Sequence, residues 1–256
     1  MGTINNIISQ TPKNLTSSTI KFNQWLAGLI DGDGYFGITK GKYISCEILV
    51  ELKDENILLE IQKRFGGSIK LRSGIRAIRY RLQNKTGIIK LINAINGNIR
   101  NSKRLPQFIK VCNLLNIKPV QPISLTIDNG WFIGFFDADG LINYYYQNIR
   151  PQLTISVTNK YLHDVQYFSL IFGGNIYYDK SQNGYFKWSI NKEDLHIKFY
   201  KYHLNNPSKS NKGKRLFIIK EYYLLYNIKA YINNFTNQTY IYKKWIMFEN
   251  KWNNKY

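Results

Sequence analysis

The sequence predicts an α+β protein made of two pseudo-symmetric αββαββα halves, each with a four-stranded antiparallel sheet. Three observations predict it. Phe65-Gly66-Gly67 returns 107 residues later as Phe172-Gly173-Gly174, and Asn84-Lys85 returns at that same offset as Asn191-Lys192. Asp31-Gly32-Asp33-Gly34 returns 106 residues later as Asp137-Ala138-Asp139-Gly140. Between these landmarks helical and strand periodicities follow one another in the same order in each half.

Taken along the chain, residues 1–20 are rich in Thr, Ser and Asn, without the Arg-rich or apolar pattern of a targeting segment, and are expected to be a disordered lead. An N-terminal half over 21–118 opens with an apolar helix from Trp25 into the turn Asp31-Gly32-Asp33-Gly34. Ile48 to Val50 have strand character, and Ile57 and Ile61 fall at helical spacing before the helix stops at Gly66-Gly67. Pro119 and Pro122 mark an extended linker, 119–130. A C-terminal half over 131–256 repeats the order: apolar helix from Trp131 into Asp137-Ala138-Asp139-Gly140, period-two Leu153, Ile155 and Val157, then Val165, Phe168 and Phe172 at helical spacing. Leu216 to Ile228 reads as helix, and the Lys- and Trp-rich tail after Tyr240 as an appendage. Two strand pairs per half give one sheet face for the helices and one left open.

Composition narrows the function classes. The 44% hydrophobic and 15% aromatic content of the 256 residues suffices for a packed core. Thirty-six Lys and Arg against sixteen Asp and Glu give +20, which a polyanion would relieve; nucleic acid fits best, because the cations are interleaved with Tyr, Asn and Gln. A membrane partner is disfavoured, since the chain has no run of about 18 apolar residues and no strongly basic amphipathic helix. Cys46 and Cys112 lack metal or disulfide spacing and read as buried free thiols; His163, His196 and His203 lack zinc-ligand partners.

The two acidic turns carry the chemistry. Carboxylates at helix C-termini face carbonyls that already bear partial negative charge. Small residues at Ala27, Gly28 and Gly134 allow the two helices to cross closely, which brings Asp33 near Asp139. Like charges so placed require a cation, and hard carboxylate and carbonyl oxygens suit Mg²⁺, with Mn²⁺ or Ca²⁺ able to take the same sites. Phosphodiester hydrolysis is a reaction that such metals promote. One Asp-x-Asp-Gly turn is usually a solvated loop; two copies in register are not. Gly32 to Gly37 matches G-x-G-x-x-G only formally, because it follows a helix and carries Tyr35 and Phe36 where a dinucleotide must approach.

Leu26 to Gly34 reads LAGLIDGDG and Phe132 to Gly140 reads FIGFFDADG. These segments resemble the signature helices of the LAGLIDADG homing endonucleases in their single-chain, two-motif form, over nearly the whole chain. The second motif departs at Phe132 and Ile133 but keeps the acidic turn. The resemblance implies that the helices join the halves, that Asp33 and Asp139 ligate metal assisted by the carbonyls of Gly32 and Ala138, and that Asp31 and Asp137 are structural. It also implies basic catalytic residues at Lys103 and Lys212, from the likeness of Ser102-Lys103-Arg104 to the segment around Asn211-Lys212 and Arg215, and a water-ordering Asn159, for which the first half offers Glu51 or Lys53.

Basic strand residues, Lys40, Lys42, Lys70, Arg72, Arg76, Arg79 and Arg81 in the first half, suit major-groove contact. The second-half set is more polar: Tyr144, Tyr146, Gln147, Arg150, Tyr177, Lys180, Gln182 and Lys187. The expected protein is therefore a monomeric, metal-dependent endonuclease that cuts a long non-palindromic double-stranded DNA. An RNA maturase acting on intron RNA is the alternative, and a purely regulatory DNA-binding protein would leave the paired acids unexplained. Abundant Asn, Ile, Lys and Tyr suggest an AT-rich genome and an intron-encoded product of an organelle, the mitochondrion first.

Overall fold

The computed structural model describes residues 15–181, 183–232 and 239–253. Most of the expected disordered lead lies outside the described residues. Helix α1, Ser17–Asp33, begins inside that stretch, where the Thr16 hydroxyl caps it by accepting from the Thr19 amide at 3.3 Å. The first half continues with β1 (Gly34–Thr39), β2 (Tyr43–Glu51), a 3-10 turn (Leu52–Asp54), α2 (Glu55–Phe65), β3 (Ser68–Leu71), β4 (Ala77–Leu82), α3 (Lys85–Ile95) and α4 (Arg104–Leu114). The second half follows with α5 (Trp131–Asp139), β5 (Gly140–Gln147), β6 (Arg150–Asn159), α6 (Leu162–Phe172), β7 (Asn175–Asp179) and β8 (Tyr185–Ile190). It ends with α7 (Glu193–Asn205), α8 (Lys212–Phe217), α9 (Ile219–Asn227) and α10 (Thr239–Trp252).

Two antiparallel sheets result, ordered β1-β2-β4-β3 and β5-β6-β8-β7. Phe-Gly-Gly recurs because each second helix ends there: Gly66 and Gly173 take φ of 78° and 76°, the left-handed region that releases the chain from the helix into the next strand. Strand alternation puts Phe36, Cys46, Ile48, Ile78, Tyr80 and Leu82 under the helices of the first half, and Ile142, Leu153, Ile155, Val157 and Trp188 under those of the second. No regular element spans 117–130, the stretch that contains the expected linker.

Two expectations need correction. The C-terminal tail is not an appendage: Trp245, Phe248 and Trp252 of α10 are buried against Tyr144 and Tyr222 and complete the second core. The long helix read over Leu216 to Ile228 is two helices, with the break at Ile218.

Candidate active site

Helices α1 and α5 cross with their backbones in contact. A Cβ placed on Gly28 would lie 2.1 Å from the Trp131 carbonyl oxygen, and one on Gly134 would lie 1.9 Å from that of Trp25. No other residue fits at either position. The crossing brings the two C-termini together, so that the Cβ position of Gly32 lies 3.5 Å from Asp139 Oδ2. Each sheet starts one residue beyond its acid, at Gly34 and Gly140.

Burial and mutual repulsion shape the pair. Asp33 is pushed up to about 7, chiefly by loss of water and next by the charge of Asp139. Asp139 is pushed up to about 6 by burial, against which the Asn159 amide donates to its Oδ2 at 3.1 Å. A cation between the two carboxylates would favour ionisation of both near neutral pH. Hard oxygen donors of this kind can hold a divalent metal.

Basic side chains relieve the crowded carbonyls. Lys212 Nζ donates to the carbonyls of Phe136, Asp137 and Ala138 at 3.1, 2.7 and 2.8 Å. In the first half that place is taken by Arg104, whose guanidinium donates to the carbonyls of Ile30 at 3.3 Å and Gly32 at 3.4 Å. Gly32 and Ala138, the carbonyls expected to assist a metal, are thus already accepting one bond each.

The repeat therefore pairs Lys212 with Arg104, not with Lys103. A second pair three residues on agrees: Gln107 accepts from the Phe36 amide, and Arg215 donates to the carbonyl of Ile142, the counterpart of Phe36. Lys103 is exposed on the rim of an open groove, about 500 Å³, shared with Asp31, Asp139, Asn159 and Lys160. The signal was present as a common offset of 108 for Arg104/Lys212 and Gln107/Arg215, but an Arg at the place of a Lys hid it.

The first acid of each motif locks the two halves. Asp31 Oδ2 accepts from Trp131 Nε1 at 2.8 Å, and Asp137 Oδ2 accepts from Trp25 Nε1 at 2.9 Å. Asp31 also takes the Arg100 amide, and Asp137 takes the Lys209 amide and the hydroxyls of Ser208 and Ser210. The Trp that opens each motif is thus bound by the acid that closes the other.

A family model described as LAGLIDADG endonuclease matches residues 26–115 and 132–223, both halves of this framework. The chain belongs to the LAGLIDADG endonuclease family. It is 65% identical to the intron-encoded RNA maturase bI4 of Saccharomyces cerevisiae, over 99% of this chain and 40% of the relative. It is 51% identical to the probable intron-encoded endonuclease aI2 of Debaryomyces hansenii, over 95% and 39%. The chain spans about 40% of the length of these two relatives. The intron-encoded DNA endonuclease ai2a of Dictyostelium discoideum is 35% identical, over 92% of this chain and 76% of its own. Among solved structures, the LAGLIDADG homing endonuclease I-LtrWI bound to target DNA superposes with a TM-score of 0.70 at 15% identity, covering 91% of this chain and 98% of that one. That likeness shows the shared fold.

The open sheet faces hold many, but not all, of the residues expected to meet DNA. In this LAGLIDADG chain Lys70, Arg79 and Arg81 stand on the open face of the first sheet, with Arg72 at its end. Glu47 lies between Arg79 and Arg81, at 3.4 and 2.9 Å, and holds their guanidinium groups in place. Lys40 and Lys42 lie at the β1–β2 turn and Arg76 at the β3–β4 turn, all exposed. In the second sheet Gln147, Arg150, Tyr177 and Lys187 are on the open face, with Lys180 just past β7; Gln182 lies outside the described residues.

Tyr144 and Tyr146 are a correction. They share the strand parity of Gly140 and Ile142 and point to the helix side, where both hydroxyls donate to Glu249 Oε1 at 2.9 Å. Their neighbours Asn143 and Tyr145 occupy the open face instead. Period-two alternation counted from the buried Ile142 would have shown this.

Proposed function

We propose that this chain is a site-specific double-strand DNA endonuclease with a long, non-palindromic target, dependent on a divalent metal, Mg²⁺ first. The observation that carries the reading is the pairing of Asp33 with Asp139 where two open, cation-bearing sheets begin. Asp33 and Asp139 would hold the metal, with the Gly32 and Ala138 carbonyls offering their remaining lone pairs. Such an ion, when bound, polarises a scissile phosphate and lowers the pKa of attacking water. Lys212 and Arg104 fix the acid-bearing turns and place positive charge beside the developing phosphorane. Asn159 orients Asp139 and can order a water beside it; Lys103, on the groove rim, is suited to a phosphate contact.

Arg79 and Arg81 on one face, and Gln147, Arg150 and Lys187 on the other, suit base-edge and phosphate contacts. Unlike side chains on the two faces imply unlike half-sites, and two joined halves imply a monomer. The relatives' intron-encoded names, and a composition rich in Asn, Ile, Lys and Tyr, support an organellar intron, most naturally mitochondrial, as the source. A maturase reading is supported by the relative named an RNA maturase at 65% identity.

Incubation with Mg²⁺ and a randomised AT-rich duplex library, followed by sequencing of cut ends, tests the proposal. The expected product is one asymmetric site of roughly 20 base pairs, about one turn of groove per half, cut on both strands. Tight binding without cutting in Mg²⁺ or Mn²⁺ would instead support a regulatory protein, and stimulation of intron splicing without cutting would support the maturase.

A further inference from the structure

Arg104 and Lys212 are the first residues of α4 and α8, and their placement decides whether they reach the carbonyls beside the acids. Neither helix start is held by the side chain of its N-cap residue, Lys103 or Asn211. Asn101 Oδ1 accepts from the amides of Lys103 and Arg104 in the first case; in the second, Asp137 holds the preceding loop through the Lys209 amide and the Ser208 and Ser210 hydroxyls, but among the described residues no side chain of the same half takes the Asn211 amide. Both starts are gripped from across the interface.

Asp54, at the start of α2 in the first half, accepts through Oδ1 from the Asn211 amide at 2.6 Å and from Asn211 Nδ2 at 2.9 Å. The Asn211 amide group also donates to the Lys53 carbonyl at 2.6 Å. Asp164, in the first turn of α6 in the second half, accepts the Ser102 amide at 2.9 Å and the Ser102 hydroxyl at 2.6 Å. These carboxylates are buried, 9% and 1% exposed, and neither reaches the open sheet faces. Each also puts negative charge at the positive end of a helix.

The two grips do not occupy equivalent positions of the repeat. Phe65 and Phe172 are one repeat, 107 residues, apart in α2 and α6, whereas Asp54 and Asp164 are 110 apart, almost one helical turn out of step. Two unrelated positions make the same connection. We propose that Asp54 and Asp164 are reciprocal positioning residues: each is anchored in one half and sets the loop that delivers the basic residue of the other half to its acid. This rests on the nuclease reading above. It makes each strand's cut depend on a carboxylate in the opposite half.

The test is single-turnover cleavage with each DNA strand labelled separately, comparing Asp54→Ala and Asp164→Ala with Lys212→Met and Arg104→Met. Asp54→Ala is expected to slow the strand that Lys212→Met slows, by about 10-fold, as for loss of hydrogen bonds to a charged group. Asp164→Ala is expected to slow the other strand, the one affected by Arg104→Met, with target affinity little changed in both. Hydrogen exchange on the same proteins, free of DNA and metal, should show lost protection at the Asn211 amide in the first variant and at the Ser102 amide in the second. Asp164→Asn, which keeps one acceptor, serves if the Ala variant does not fold. Equal slowing of both strands, or protection lost in both halves or in neither, overturns the proposal. A wild-type protein that binds but does not cut sinks the nuclease reading alone, and the exchange data then decide whether the carboxylates hold the loops.

Discussion

The halves share a framework but not a chemistry. Val157 faces Gly140 as Ile48 faces Gly34, and two residues further along β6 and β2 stand Asn159 and Val50. Asp139 therefore has an amide donor where Asp33 has an isopropyl group, and no hydrogen bond from a described residue eases Asp33. Burial raises both acids; the charge of Asp139 adds to the rise at Asp33, while the Asn159 hydrogen bond opposes it at Asp139. Lys212 binds three carbonyls at short range, whereas Arg104 binds two at 3.3 and 3.4 Å. Helix packing demands near-identical backbones at the crossing. It places no such demand on the side chains around each acid, which diverged, and the second half has the better-supported carboxylate.

The most severe way to break this comparison is to remove the acids one at a time. Asp33→Asn and Asp139→Asn should each abolish double-strand cleavage, with at least a 100-fold loss on one strand, about 3 kcal/mol of activation free energy, and leave specific binding. Residual nicking should fall on opposite strands in the two variants. Full cleavage by either in Mg²⁺ would remove the metal-ligand role.

A second contrast lies behind the sheets. Where α3 packs Ile88, Leu91 and Ile95, α7 packs His196, Phe199 and His203 at the matching positions 108 residues on, all buried. Burial lowers both histidines to about 4, so they are neutral in the fold at neutral pH. Their unfolded pKa is about 6.5, so the unfolded chain binds more protons between those values, and stability falls as pH falls through that window. Lowering the pH from 7 to 4.5 should cost wild type about 2 kcal/mol more than it costs His203→Phe, measured by denaturant melts. An equal loss in the two proteins would show that folding leaves the proton affinity of His203 unchanged.

The gentlest test exchanges the one-residue difference beside the acids. Asn159→Val should slow the Asp139-dependent nick by about 10-fold, near 1.4 kcal/mol, and bring the two strand rates closer together. Strand rates that stay as unequal as in wild type would place the asymmetry elsewhere, with Lys212 and Arg104 the next candidates.

Legibility followed how local each cause was. The Phe-Gly-Gly helix stops, the period-two strands and the two acidic turns are set by backbone geometry within a few residues, so the repeat was visible without a fold. Arg104 was missed because its role is defined by the carbonyls it reaches, 72 and 74 residues earlier in the chain. Tyr144 and Tyr146 were misplaced because an aromatic strand residue can serve either face, and α10, read as an appendage, settles which one.

The two-half α+β architecture and the acids at the ends of the signature helices were legible in the sequence, and Gly28 and Gly134 marked where two helix backbones could approach closely. Only the tertiary structure decided which side chains support each acid. Asn159, Lys212, Arg104, Asp54 and Asp164 act across strand, helix and half boundaries, and hydrogen bonds between residues so far apart in sequence leave no periodic trace in it.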